Sequence, residues 1–101
     1  MSYRVVILPT VENQILDQVL YIAQDSIDNA LRWEQELHQR IMGLCELPLA
    51  HPTSPPESRA FDREVRKMNF GNYLIFYRVD EANKAVHILA FMHGARRLEI
   101  D

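Results

Sequence analysis

Five basic side chains late in the chain, Arg66, Lys67, Arg78, Arg96 and Arg97, are of the type that binds phosphate or another anion. Glu64 and His93 lie among them and are of the type that moves protons beside such a group. The charge is split along the chain. Residues 1–58 carry three basic side chains (Arg4, Arg32, Arg40) against eight acidic ones, a net of −5, whereas residues 59–97 carry eight basic against four acidic, a net of +4. That asymmetry makes the later half a candidate anion-facing surface, although an ordinary solvated face also accounts for an imbalance of this size. The histidines at 38, 51, 87 and 93 show no ligand spacing and the single Cys45 does not complete one, so no metal and no cofactor is expected.

Each of these residues also has a structural reading. His93 before Gly94 suits a chain corner, where the glycine serves a backbone turn or a close approach. Arg96 and Arg97 can pair with Glu99 and Asp101 at little energetic worth. Tyr73 and Tyr77 suit packing positions with hydroxyls at the sheet rim. Cys45, among Ile41, Leu44 and Leu47, reads as a small buried apolar residue.

The elements that must position these groups follow from the apolar pattern. Tyr3 to Leu8 is β-branched and aromatic and ends at Pro9, which predicts an opening strand. Val11, Ile15, Leu16, Val19, Leu20 and Ala23 recur at helical spacing, with Thr10 placed to cap and Glu12 in the first turn, and the helix ends near Asp25. Ser26 can cap a second helix whose stripe Ala30, Trp33, Leu37, Ile41, Leu44 runs until Pro48. The short joint folds the two into an antiparallel hairpin. Residues 48–58 hold four of the five prolines and predict a crossing loop. Three strands follow, Phe61 to Met68, Tyr73 to Asp80 and Ala85 to Met92, with turns at Gly71 and at 81–84, as an antiparallel meander.

Tyr73, Ile75, Tyr77 and Val79 alternate with Leu74 and Phe76, and Val86, Ile88, Ala90 and Met92 alternate with Leu89 and Phe91, so both sheet faces are apolar. The helices cover one. The other calls for the long loop, a second copy or, most simply, a partner protein. At 101 residues, 48% hydrophobic and 25% charged, the chain is one domain spanning 1–101. Neither a signal-peptide run nor the roughly 20 apolar residues of a membrane span is present, so a cytoplasmic protein without membrane partners is expected.

Arg63-Glu-Val-Arg-Lys-Met68, then Gly71-Asn-Tyr-Leu-Ile-Phe-Tyr-Arg-Val-Asp80, then His87-Ile-Leu-Ala-Phe-Met-His-Gly-Ala-Arg-Arg97 resembles the RelE/ParE toxin superfamily, over nearly the whole chain. The resemblance implies an α+β fold of order β-α-α-β-β-β, with an N-terminal helical hairpin on one face of a small, mainly antiparallel sheet. It implies the toxin half of a type II toxin–antitoxin pair, neutralised by a cognate antitoxin and meeting operator DNA only through that antitoxin. Leu74, Phe76, Leu89 and Phe91 then face the antitoxin, and Arg63, Arg66, Lys67, Arg78, Arg96 and Arg97 face the target.

The superfamily's branches act differently. RelE-like members cleave messenger RNA on the ribosome, and ParE-like members, of plasmid-stabilisation type, inhibit DNA gyrase. Metal-free RNA cleavage needs a base, an acid and cations for the phosphorane, for which Arg66, His93 and Arg96 are the candidates. RelE-like nucleases usually carry an arginine after the first tyrosine of the third strand, where this chain has Leu74. Beyond the final corner they carry a tyrosine or histidine and more basic residues, where this chain has Leu-Glu-Ile-Asp. With a net charge of −3 as well, the expectation is a ParE-like gyrase inhibitor and not an enzyme. The alternatives are a ribosome-dependent nuclease, and a relic that keeps only antitoxin binding and operon autoregulation.

Overall fold

A computed structural model of the chain describes residues 2–94. Arg96 and Arg97 therefore lie outside the described residues. The expected order holds, with additions: β1 (Arg4–Ile7), α1 (Pro9–Ala23), α2 (Ile27–Met42), a 3₁₀ turn (Gly43–Cys45), α3 (Pro55–Phe61), β2 (Arg66–Phe70), β3 (Tyr73–Asp80) and β4 (Ala85–His93). The sheet runs β1-β4-β3-β2, with β1 parallel to β4 and the other neighbours antiparallel.

Local chemistry sets most boundaries. Leu8, not Thr10, is the N-cap of α1, because Pro9 occupies the first helical position, where its fixed φ fits and its missing N–H costs nothing. Ser26 caps α2 as expected, its Oγ accepting from the Asn29 amide at 3.1 Å. The second helix ends at Met42 rather than at Pro48; Gly43 is its C-cap, and the tighter turn that follows still buries Leu44.

The proline-rich stretch departs further from expectation. Pro55 and Pro56 open α3, since a helix leaves the amides of its first turn unused, and Asp62 ends it in the left-handed region at φ 55°. The strand expected from Phe61 thus begins only at Arg66. Residues 46–54 remain as a strap along the outer edge of β2: the Lys67 amide donates to the Pro52 carbonyl at 2.9 Å, and the Ser54 amide to the Val65 carbonyl at 2.7 Å. This pairing occupies an edge that would otherwise offer open backbone groups.

One helix-facing core holds Val11, Leu37, Ile41 and Leu44 against Met68, Ile75, Tyr77, Val86 and Ile88. Trp33 sits edge-on to Phe70, Tyr73 and Phe91, with centroids 5.6–6.0 Å apart. A bulge decides which residues reach this face. Phe76 pairs with Ala90 but Tyr77 pairs with Ile88, so Leu89 is the extra residue. The skipped position moves Phe91 from the face expected for it onto the helix side, where it is buried opposite Ile75. The second face then carries Leu74, Phe76 and Arg78 on β3, Ala90 and Met92 on β4, and Lys67 on β2. Phe76 is fully buried within the single chain, so that face is not bare at its centre.

Candidate functional site

Arg66 stands opposite Tyr77, on the helix side of β2, and its guanidinium is occupied by the strap. Nη1 donates to the His51 carbonyl at 2.6 Å and to the Leu49 carbonyl at 3.5 Å, and Nη2 to Glu64 at 3.3 Å. Only 18% of the side chain is exposed. Its Nε is buried with no hydrogen-bond partner among the described residues, a cost accepted to hold the fork in place. Tyr77 completes the clamp by donating its hydroxyl to the Pro48 carbonyl at 2.7 Å, beneath the His51 ring. That hydroxyl does not reach the sheet rim as the sequence suggested. Burial raises the Tyr77 pKa, and burial followed by the Arg40 charge lowers that of His51.

His93 lies at the other end of the sheet. It pairs with Tyr73 across β3–β4 and meets its ring edge-on at 5.3 Å. The following Gly94 donates its amide to the Asn72 carbonyl at 2.8 Å, and a Cβ there would sit 3.2 Å from the same oxygen, so the expected close approach exists. Tyr73 stacks on Phe91 at 5.1 Å, and its pKa is raised by burial and then by Tyr21. Together with Gln14, Asp17 and Gln18 of α1 these residues line an open groove of about 740 Å³.

Arg66 and His93 cannot serve one scissile bond in this arrangement. Their partners Tyr77 and Tyr73 are four residues apart on β3, and β2 and β4 flank that strand on opposite sides. Ordinary strand spacings then put their Cα atoms roughly 16 Å apart. Glu64 is exposed beside Arg66 and far from His93.

The second sheet face gathers the remaining candidates. Lys67 and Arg78 project there, and the register adds His87, opposite Arg78. Asp80 lies beside both: Arg78 Nη2 is 4.0 Å and His87 Nε2 3.7 Å from its Oδ2, distances longer than a hydrogen bond. The Asn83 side chain and amide, followed by Arg78 and His87, hold the Asp80 carboxyl below the usual range despite some burial. His87 and Asp80 are brought together by the 81–84 turn, which pairs Asp80 with Ala85 and Arg78 with His87, and neither residue's type or spacing marks a site without that register. Leu74 and Leu89 are half-buried, and Arg63 is exposed after α3. Among the described residues no group of histidine, cysteine or carboxylate side chains could hold a metal, and no helix is long and apolar enough to cross a membrane.

A four-stranded mixed sheet carrying a helical hairpin on one face and a clamped strap at its edge is the RelE/ParE-type α+β fold. The fold is shared with the RelE–RelB complex of the archaeon Pyrococcus horikoshii OT3, at a TM-score of 0.50 and 21% identity over 95% of this chain and 99% of that one. Residues 5–98 match the ParE toxin of the type II toxin–antitoxin system parDE, and the chain belongs to that family. No curated protein sequence matches it.

Proposed function

We propose that this chain is a ParE-like toxin that arrests growth by binding DNA gyrase, acts in the cytoplasm, and is neutralised by a cognate antitoxin through which it meets operator DNA. One observation carries the choice of binding over cleavage: Arg66, the strongest candidate for phosphate, is spent on backbone carbonyls and lies far from His93. Leu74, in place of a strand arginine, supports the same reading. The antitoxin's place is the second sheet face, where Leu74 and Leu89 remain partly exposed and buried Phe76 lies beside Lys67; Phe91, on the helix side, has no part in it. Exposed Arg63 and the basic corner serve contact with the target or its DNA. Purified toxin should inhibit supercoiling by purified gyrase; unimpaired supercoiling with toxin in excess of gyrase rejects the assignment.

One observation favours a second reading. Lys67, Arg78 and His87, whose Nε2 is buried 3.7 Å from Asp80 without a hydrogen-bond partner among the described residues, share a face, which supplies cations and a candidate base for RNA cleavage. Translating ribosomes programmed with a defined message would then show new 5′ ends at the A-site codon, and their absence removes this reading.

A further inference from the structure

The helical hairpin carries an apolar outer face that the fold does not use. Leu16 and Leu20, one turn apart on α1, are 49% and 56% exposed, and Ile27 and Leu31, one turn apart on α2, are 67% and 56% exposed. Helical spacing sets Leu16 and Leu20 on the same flank of α1 as Glu12, and Ile27 and Leu31 on the same flank of α2 as Glu34 and His38. Those two flanks meet. Glu12 and Leu16 share with Glu34 and His38 the walls of a hollow of about 180 Å³, floored by Ile15 and Leu37. The four exposed side chains therefore extend from the mouth of one hollow towards the hairpin turn.

The hairpin as a whole is acidic, and Glu12 and Glu34 stand at this face. Residues 9–42 carry Glu12, Asp17, Asp25, Asp28, Glu34 and Glu36 against Arg32 and Arg40, two basic minus six acidic giving −4. Arg40 turns away to the sheet, donating to the Asn69 carbonyl at 2.8 Å with its guanidinium over Phe70, and Arg32, which donates to the Asn29 side chain at 3.1 Å, offsets only one of the six carboxylates. A symmetric pairing with a second copy would set Glu12 and Glu34 against like charges. An acidic antitoxin segment would be repelled in the same way.

We propose that this hairpin face docks a basic amphipathic helix of the toxin's target, with apolar residues one turn apart over Leu16, Leu20, Ile27 and Leu31, one of them in the hollow, and lysines or arginines against Glu12 and Glu34. This rests on the reading that the toxin acts by binding a target protein. The acidic hairpin then takes a helix of the target protein, the apolar part of the second sheet face around Leu74 takes the antitoxin, and the basic corner of Lys67, Arg78 and His87 on that same face is left for the target's DNA. Target and antitoxin exclude each other where the antitoxin covers that corner.

The test uses full-length toxin carrying Leu20→Lys with Leu31→Lys, a second variant with Glu12→Lys and Glu34→Lys, and Ala82→Lys in the β3–β4 turn as a control of like charge. Affinity for purified gyrase, affinity for the antitoxin, and growth arrest on expression without antitoxin are measured for each. Both hairpin variants should lose gyrase affinity by at least about tenfold and lose growth arrest, while antitoxin affinity, which also reports folding, stays at the wild-type level. Undiminished gyrase binding in both overturns the inference and leaves the gyrase reading standing. If the wild type arrests growth but does not bind gyrase, the gyrase reading has failed, and growth arrest decides the surface: lost in both hairpin variants, it stands; retained, it falls. A wild type that neither binds gyrase nor arrests growth overturns both.

Discussion

Tyr77 donates its hydroxyl to the carbonyl of Pro48 at 2.7 Å, joining the centre of the sheet to the start of the strap. Both residues are buried, so removing the hydroxyl leaves a carbonyl without water to replace it. Tyr77→Phe should destabilise the fold by about 1–2 kcal/mol, read as a lower midpoint of urea unfolding at unchanged slope.

Arg66 is assigned to structure, and its variants distinguish that role from catalysis. Arg66→Ala removes a charged donor from two carbonyls and should cost about 2 kcal/mol, or roughly 10 °C in Tm for a domain of this size. Arg66→Lys keeps the charge but not the fork, and it should fall well short of restoring Tm. Growth arrest should persist in both at temperatures where they stay folded; arrest lost from a folded variant would return Arg66 to the reacting groups.

His51 makes the strap sensitive to acid. Burial against Tyr77, then the Arg40 charge, lowers its pKa, so the unfolded chain takes up the proton first. Its contribution to stability is complete above about pH 6.5 and is lost as pH falls through the depressed folded-state value. Unfolding free energy measured from pH 8 to 5 should decline less in His51→Gln than in the wild type.

Leu89 is the residue that β4 carries in excess of β3. Deleting it aligns Ile88 with Tyr77 and Ala90 with Phe76 without a bulge and leaves Phe91 opposite Ile75. The deletion should cost about 1–2 kcal/mol, against about 3–5 kcal/mol if Phe91 were expelled from the core, a difference that thermal unfolding resolves.

The legible parts of this chain were those where one local signal decides the structure. Helical spacing gave the hairpin, Ser26 its second cap, and β-branched runs with Gly71 between them gave β3 and its neighbours. Pro55 and Pro56 misled because proline breaks a helix interior but opens a first turn, and only the path of the chain tells the two apart. Strict alternation sends Phe91 to the second face, and it holds only until the bulge at Leu89. Cross-strand pairing also hid the site's geometry. Arg66 and His93 suit phosphate chemistry by type, yet pairing register separates them, while His87 and Asp80 meet by register alone.

The central claim is that this toxin works by binding gyrase and not by cutting RNA. Its most direct test is the superhelical density of a reporter plasmid in cells expressing the toxin without its antitoxin, followed from induction. Loss of negative supercoiling before protein synthesis declines is the result expected. Unchanged supercoiling during growth arrest, with messages newly cut at A-site codons, would contradict it.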